Sequence, residues 1–160
     1  MFLKWRKKTP ISRLVEGRMA TVQGEIVASE TLTLPITGTR CVFYDLLVEV
    51  YKKGPRGRGR PLWMPLNVER RCNGFYVDDG EGRVWVEGKP EAFFIKNGDH
   101  EAGEVPKHEF RRFSAWMLKD KRRIIVRGVV SKPEKGEPKD TLVLRADAGN
   151  IIEILMCKQN

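Results

Sequence analysis

The chain has 160 residues, 41% of them hydrophobic and 32% charged, and a net charge of +9. That length is enough for one self-sufficient core and leaves no room for a second of ordinary size. The balance is that of a soluble globular domain, and no apolar run approaches the roughly 20 residues of a membrane-spanning helix. Cys41, Cys72 and Cys157 are odd in number and lack C-x-x-C spacing, so buried thiols are expected rather than a disulfide framework or a zinc site.

The positive charge is local. Residues 1–13 carry Lys4, Arg6, Lys7, Lys8 and Arg13 with no acid, and residues 52–61 carry Lys52, Lys53, Arg56, Arg58 and Arg60 with no acid, so the remainder of the chain sums to −1. An excess confined to one tail and one loop points to an anionic partner at those two places. The tail reads as a flexible basic arm over residues 1–13, followed by a single domain over 14–160. Its first residues have neither the apolar stretch nor the cleavage site of a signal peptide, so the chain is expected in the cytoplasm, with peripheral contact to a membrane left open.

After the arm, Ala20–Ala28 reads as a strand with Gly24 in its middle, where a glycine marks a bulge or a bend. Pro35 and Gly38 then bracket a tight turn. From Cys41 to Tyr51 the even positions Val42, Tyr44, Leu46, Val48 and Val50 are apolar and the odd ones include Asp45 and Glu49, a period of 2 that predicts a long strand with one core face. Residues 52–61, rich in glycine and proline, interrupt it. Leu62–Arg70 returns as its partner, with Pro65 placing that strand at an edge or a bulge. Asp79-Gly80 between the alternations Phe75–Asp78 and Arg83–Glu87 is a hairpin signal.

Residues 88–105 have no clean period and read as an exposed connection. Over Lys107–Lys119, Phe110, Phe113 and Met117 fall at helical spacing with Trp116 beside them, which predicts an amphipathic helix and, with Trp85, places these aromatics in the core. Arg123–Val130 and Thr141–Arg145 form a further strand pair across a turn-rich segment, and Ile151–Met156 is the last strand. This order predicts an all-β, OB-like Greek-key barrel with one helix and a long inserted connection.

Leu34-Pro35-Ile36-Thr37-Gly38-Thr39-Arg40-Cys41-Val42-Phe43-Tyr44, the hairpin Phe75–Val86, Val22-Gln23-Gly24-Glu25-Ile26-Val27 and Lys121–Val130 together resemble the GIDE-type domain. This is the β module beside the membrane in mitochondrial ubiquitin ligases of the MAPL type and in many bacterial proteins. The resemblance implies the same barrel and a protein-recognition role near a membrane. It brings no catalytic residue with it, and the chain has neither the RING domain nor the spanning helices of those ligases.

No catalytic, metal or cofactor site is read from the residues. Asp78, Asp79 and Glu81 are assigned to turn chemistry, and His100 and His108, without a nucleophile beside them, to the solvent. Two contact regions remain. Arg56, Arg58 and Arg60 on glycine spacers, with Lys52, Lys53 and Trp63, suit an anion or a single-stranded nucleic acid, the Trp63 ring stacking a base and the cations neutralising phosphates. Lys4, Trp5, Arg6, Lys7 and Lys8 combine an aromatic with cations and suit an anion or a membrane surface. The function expected is a non-enzymatic binding or adaptor module recognising a protein partner, with single-stranded DNA or RNA binding as the alternative and no cofactor in either case.

Overall fold

The computed structural model describes residues 3–53, 59–60 and 62–158. Apart from short 3-10 turns, the regular elements of the described chain are all strands. Its strands are β1 (Met19–Val27), β2 (Leu32–Thr33), β3 (Arg40–Cys41), β4 (Phe43–Lys52), β5 (Leu62–Cys72), β6 (Phe75–Asp78), β7 (Arg83–Val86), β8 (Phe93–Lys96), β9 (Asp99–Glu104), β10 (Arg111–Leu118), β11 (Arg123–Ser131), β12 (Val143–Arg145) and β13 (Ile152–Met156). Among the described residues no helix is long and apolar enough to cross a membrane.

Five strands close a barrel in the order β1-β6-β7-β12-β11, with β11 returning to β1. The β7–β12 pair is parallel and the other four pairs are antiparallel. The edge of β11 opposite β1 is shared between β12 at its C-terminal end and β13 at its N-terminal half, and β8 adds in parallel beyond β13. The inward side chains of both ends of the chain meet here, Val22 and Ile26 of β1 with Val126, Leu144 and Ile154, all fully buried.

Gly24 explains how one short strand serves two neighbours. β1 pairs with β11 from Met19 to Glu25 and with β6 from Glu25 to Val27. At the changeover a side chain on residue 24 would run into the main-chain carbonyl of Asp78, with the carbonyl carbon only 2.8 Å from its Cβ. Glycine there permits the close approach that a bend in a barrel strand needs.

The remaining strands build a second, four-stranded antiparallel sheet in the order β5-β4-β10-β9, from the chain between β1 and β6 and the chain between β7 and β11. Its base is rooted in the barrel, since Phe43, Cys72 and Leu118 belong to the barrel core. Farther out it has its own core, in which Leu32, Leu34 and Cys41 cover Tyr44, Leu46, Phe113, Ala115 and Met117. The covering turn is held by Gly38 N–H to Leu34 O at 2.9 Å and by the Thr39 hydroxyl donating to Glu101 at 2.7 Å, and Gly38 has φ 74°.

The predicted alternation is present in the first half of β4: Tyr44 and Leu46 are buried in the second core with Val48 packed partly on it, Val42 just before the strand is buried in the barrel core, and Val50 is half-buried, as are the odd positions Leu47 and Glu49. β5 pairs along its whole length with β4, and Pro65 sits at the bulge between Val48 and Glu49 on the sheet edge. The hairpin β6–β7 follows the Asp79-Gly80 signal, with Gly80 at φ 90°.

Two expectations are corrected. Residues 107–119 are not a helix. Arg111–Leu118 is strand β10, paired on both sides by β4 and β9. Phe113, Ala115 and Met117 satisfy a period of 2 as well as Phe110, Phe113 and Met117 satisfy a helical one, and two sheet neighbours decide between the readings. Residues 88–105 are likewise not a bare connection, because they carry β8 and β9, and Asn97 at φ 62° with Gly98 passes the chain from one sheet to the other.

Replacing Leu46, 3% exposed, with alanine is expected to lower the unfolding free energy by about 2–5 kcal/mol. Gly24→Ala should cost about 1–3 kcal/mol by overpacking against the β6 backbone. Urea unfolding of the two variants measures both.

Candidate functional site

The four-stranded sheet has one face covered by its core and one open. Cross-strand partners share a face, so the register places Trp63, Val68 and Arg70 of β5, Asp45, Leu47, Glu49 and Tyr51 of β4, Arg112, Ser114 and Trp116 of β10, and His100, Ala102 and Glu104 of β9 together on the open side. These are the odd positions of the β4 alternation and their neighbours. Trp116 is 48% exposed and Val68 61%.

Both arginines of this face are already paired. Arg112 donates Nε to Glu49 at 3.0 Å and its guanidinium lies 4.1 Å from the centre of the Trp63 ring, while Arg70 and Asp45 meet at 3.0 Å. A stacked guanidinium and a paired carboxylate hold the Trp63 ring in place. Tyr51 meets Trp63 edge-on at 5.3 Å, and the His100 ring lies 4.2 Å from Trp116 with Nε2 2.8 Å from the Ser114 hydroxyl. The face therefore carries two tryptophans, a tyrosine and two arginines in fixed positions, with Asp45, Glu49 and Glu104 set against the two arginines.

At the distal end the β4–β5 hairpin projects past β10. Tyr51, Lys53, Trp63 and Phe110 line a hollow of about 650 Å³ there. Phe110 is 62% exposed, has φ 61°, and its carbonyl accepts the Tyr51 N–H at 2.8 Å, which sets its ring 6.0 Å from that of Tyr51. A phenylalanine in the left-handed region is held there by its surroundings. On the other side of the hairpin, Leu62 and Met64 are exposed. At the proximal end a second hollow of about 260 Å³ opens beside Trp116, Phe93, Asp45 and Arg70.

Of the residues predicted from sequence, Trp63 and Lys53 meet at the distal hollow, Lys52 ends β4 on the opposite face, where it pairs with Leu62, and Arg60 is exposed. Arg56 and Arg58 lie outside the described residues. In the basic arm Lys4 and Trp5 belong to a 3-10 turn whose Leu3 is fully buried, and Trp5 itself is 76% exposed with Lys4 Nζ 4.9 Å from its ring. Lys8 donates to the Lys4 carbonyl at 2.5 Å, Arg6 and Lys7 are exposed, and Ile11 is buried with its N–H donated to Asp79 at 2.8 Å.

Two aromatics expected in the core are corrected by the same register. Trp116 and Phe110 are on the surface, whereas Phe113 and Trp85 are buried. The helical reading of residues 107–119 misplaced them, and the odd-position alternation of β4 was the signal that marked the open face. His100 and His108 are exposed as expected. The acidic turn is turn chemistry: Asp78 accepts Gly80 N–H at 2.7 Å, and Asp79 accepts the N–H groups of Glu81 and Gly82 at 3.0 and 2.9 Å. The Gly80 N–H, followed by Arg83, holds the Asp78 carboxyl below its ordinary range. Among the described residues no group of three His, Cys, Asp or Glu side chains converges to hold a metal ion.

No family model, curated protein or solved structure matches this chain.

The cysteines divide by environment. Burial pushes the Cys41 thiol up to about 11 and the Cys72 thiol up to about 12, while Cys157 is only partly covered. A thiol reacts as its thiolate. Alkylation of the native protein at pH 8 should therefore modify Cys157 first and leave Cys41 and Cys72 unlabelled until the chain is unfolded, as peptide mass mapping would record. Labelling of Cys41 at the rate of Cys157 would contradict the buried second core.

Proposed function

We propose that this chain is a non-enzymatic binding module of OB-like architecture, an adaptor that recognises a protein partner on the open face of its four-stranded sheet. The observation that carries this reading is the composition of that face: Trp63, Trp116, Tyr51, Arg70 and Arg112, ordered by one another on a rigid sheet. Tryptophan, tyrosine and arginine are the residues that dominate protein–protein contacts, because they offer large, stiff surfaces with a polar handle.

The OB-like part of the reading is supported by strand order. Counting the barrel strands β1, β6, β7, β11 and β12 as one to five, the ring runs one-two-three-five-four with its parallel pair between three and five, a five-stranded Greek-key closure. The resemblance of Leu34–Tyr44, Phe75–Val86 and Lys121–Val130 to the GIDE-type domain points in the same direction, toward recognition of a protein near a membrane.

Electrostatics favours protein over nucleic acid as the ligand of this face. Arg70 and Arg112 each have a carboxylate at 3.0 Å. Their charge is spent within the sheet, whereas phosphate binding draws on cations free to release counterions. Burying a guanidinium still costs its water, and the carboxylate already beside it offsets part of that cost against a mixed protein surface.

A photo-activatable cross-linker at Leu47, in the centre of the face, is expected to give a discrete protein adduct in cells that make the protein. The Trp116→Ala variant should lose it, since truncating an anchor of this kind costs about 2 kcal/mol or more, roughly a thirtyfold weakening. A probe at Lys135, on the turn between β11 and β12, should give none. Recovery of nucleic acid at Leu47, or adducts of equal yield at both positions, would overturn the proposal.

A further inference from the structure

Gln23 of β1, Ile125 of β11, Leu155 of β13 and Lys96 of β8 are partners in register and form one row across the outside of the barrel sheet. The arm crosses this row. Leu3 packs fully buried against β11 and β13, and between arm and sheet lies a hollow of about 470 Å³. Ile125 and Leu155 give it an apolar floor. It is also lined by Gln23 and by Lys4, Lys8, Lys96 and Lys158, and among the described residues by no carboxylate.

These lysines come from separate parts of the chain, the arm, the end of β8 and the residues after β13, so their convergence is a product of the fold and not of a charge run. Carboxylates nearby in the sheet are engaged elsewhere. Glu153 faces Arg127 at 4.0 Å, and Asp99 accepts from Arg122 at 3.1 and 3.2 Å. Among the described residues none of the four lysines takes part in an ion pair. Gathered ammonium groups repel one another, and the field they set up over a low-dielectric floor concentrates anions. Lys8 is also held in place by its bond to the Lys4 carbonyl.

We propose that this hollow binds an organic phosphate, its phosphate oxygens on the lysines and its apolar or ring-shaped body on Ile125 and Leu155, with the Gln23 amide meeting a polar edge. A bare inorganic anion would leave the floor unused, and an uncharged ring would leave the lysines unneutralised. The volume fits a ligand of nucleotide size. A phosphate ester beside an apolar body occurs both in a soluble nucleotide and in a lipid. ADP and a dispersed short-chain phosphatidic acid are the probes that separate the two sources.

Cys157 lines the same hollow and is the one cysteine of the three that is not buried, so its alkylation reports occupancy. At pH 8 one of the two probes is expected to slow Cys157 alkylation saturably and to shift the backbone amide resonances of Gln23, Lys96 and Cys157, and adenosine is expected to do neither. Which probe acts identifies the source. Reversing two charges in Lys96→Glu/Lys158→Glu should raise the half-saturating concentration about tenfold, from lost attraction and added repulsion at two surface sites. Protection by adenosine equal to that by ADP, unchanged affinity in the double variant, or no shift with either probe at millimolar concentration would overturn the proposal. Because the resonance shifts are read on the unaltered protein, a poorly folded variant does not rescue it. Lys96 and Asn97 also border the hollow beside Trp116, so the readouts at Gln23 and Cys157, which do not, let either reading fail without the other.

Discussion

A side chain at position 24 would strike the Asp78 carbonyl, and the barrel closes because none is there. β1 must hold β11 along most of its length and still reach β6 at its end, and only a close backbone approach lets one nine-residue strand do both. With the ring closed, none of its five strands is left as a bare edge. Val22 and Ile26, on either side of the glycine, are then carried inward together, and the two ends of the chain share one core.

That ring is also the foundation of the second sheet. Both insertions leave the barrel and return to it at the same place, so Phe43, Cys72 and Leu118 are barrel-core residues at one end and sheet residues at the other. Rooted in this way, β4 and β10 can extend outward with a separate small core beneath them. The turn through Leu34 and Gly38 covers one side only, and what it does not cover is the open face with Trp63 and Trp116. A face of this kind is rigid for the same reason that it is exposed: its strands are held from below and along their length, leaving the aromatic rings fixed by neighbours such as Arg112 and His100 rather than by burial.

The electrostatics sorts the surface into two kinds of region. On the open face arginines meet carboxylates and the balance is near neutral, which suits a protein surface. Under the arm, among the described residues, lysines meet no carboxylate, which suits an anion. The arm has a structural part in this, since Leu3 and Ile11 tie it to the barrel and so bring Lys4 and Lys8 to the strands.

The sequence by itself determined the strand-rich class, the bend at Gly24, the inward face of β4 and the Asp79-Gly80 hairpin, because each is a local matter of backbone freedom or of a period of 2 within one segment. It also located the positive charge in a tail and a loop. It could not choose between helix and strand for residues 107–119, where Phe113 and Met117 fit either period, nor find strands in residues 88–105, where no period exists. Those choices were made by neighbours: β4 and β9 supply both edges of β10, and β13 supplies the edge on which β8 forms. Tertiary structure alone decided the surfaces, because Trp116 meets His100, and Lys96 lines one hollow with Lys4 and Lys158, only after strands distant in sequence are laid side by side, and register, which is set by pairing and burial across the whole sheet, has no signature within any one segment.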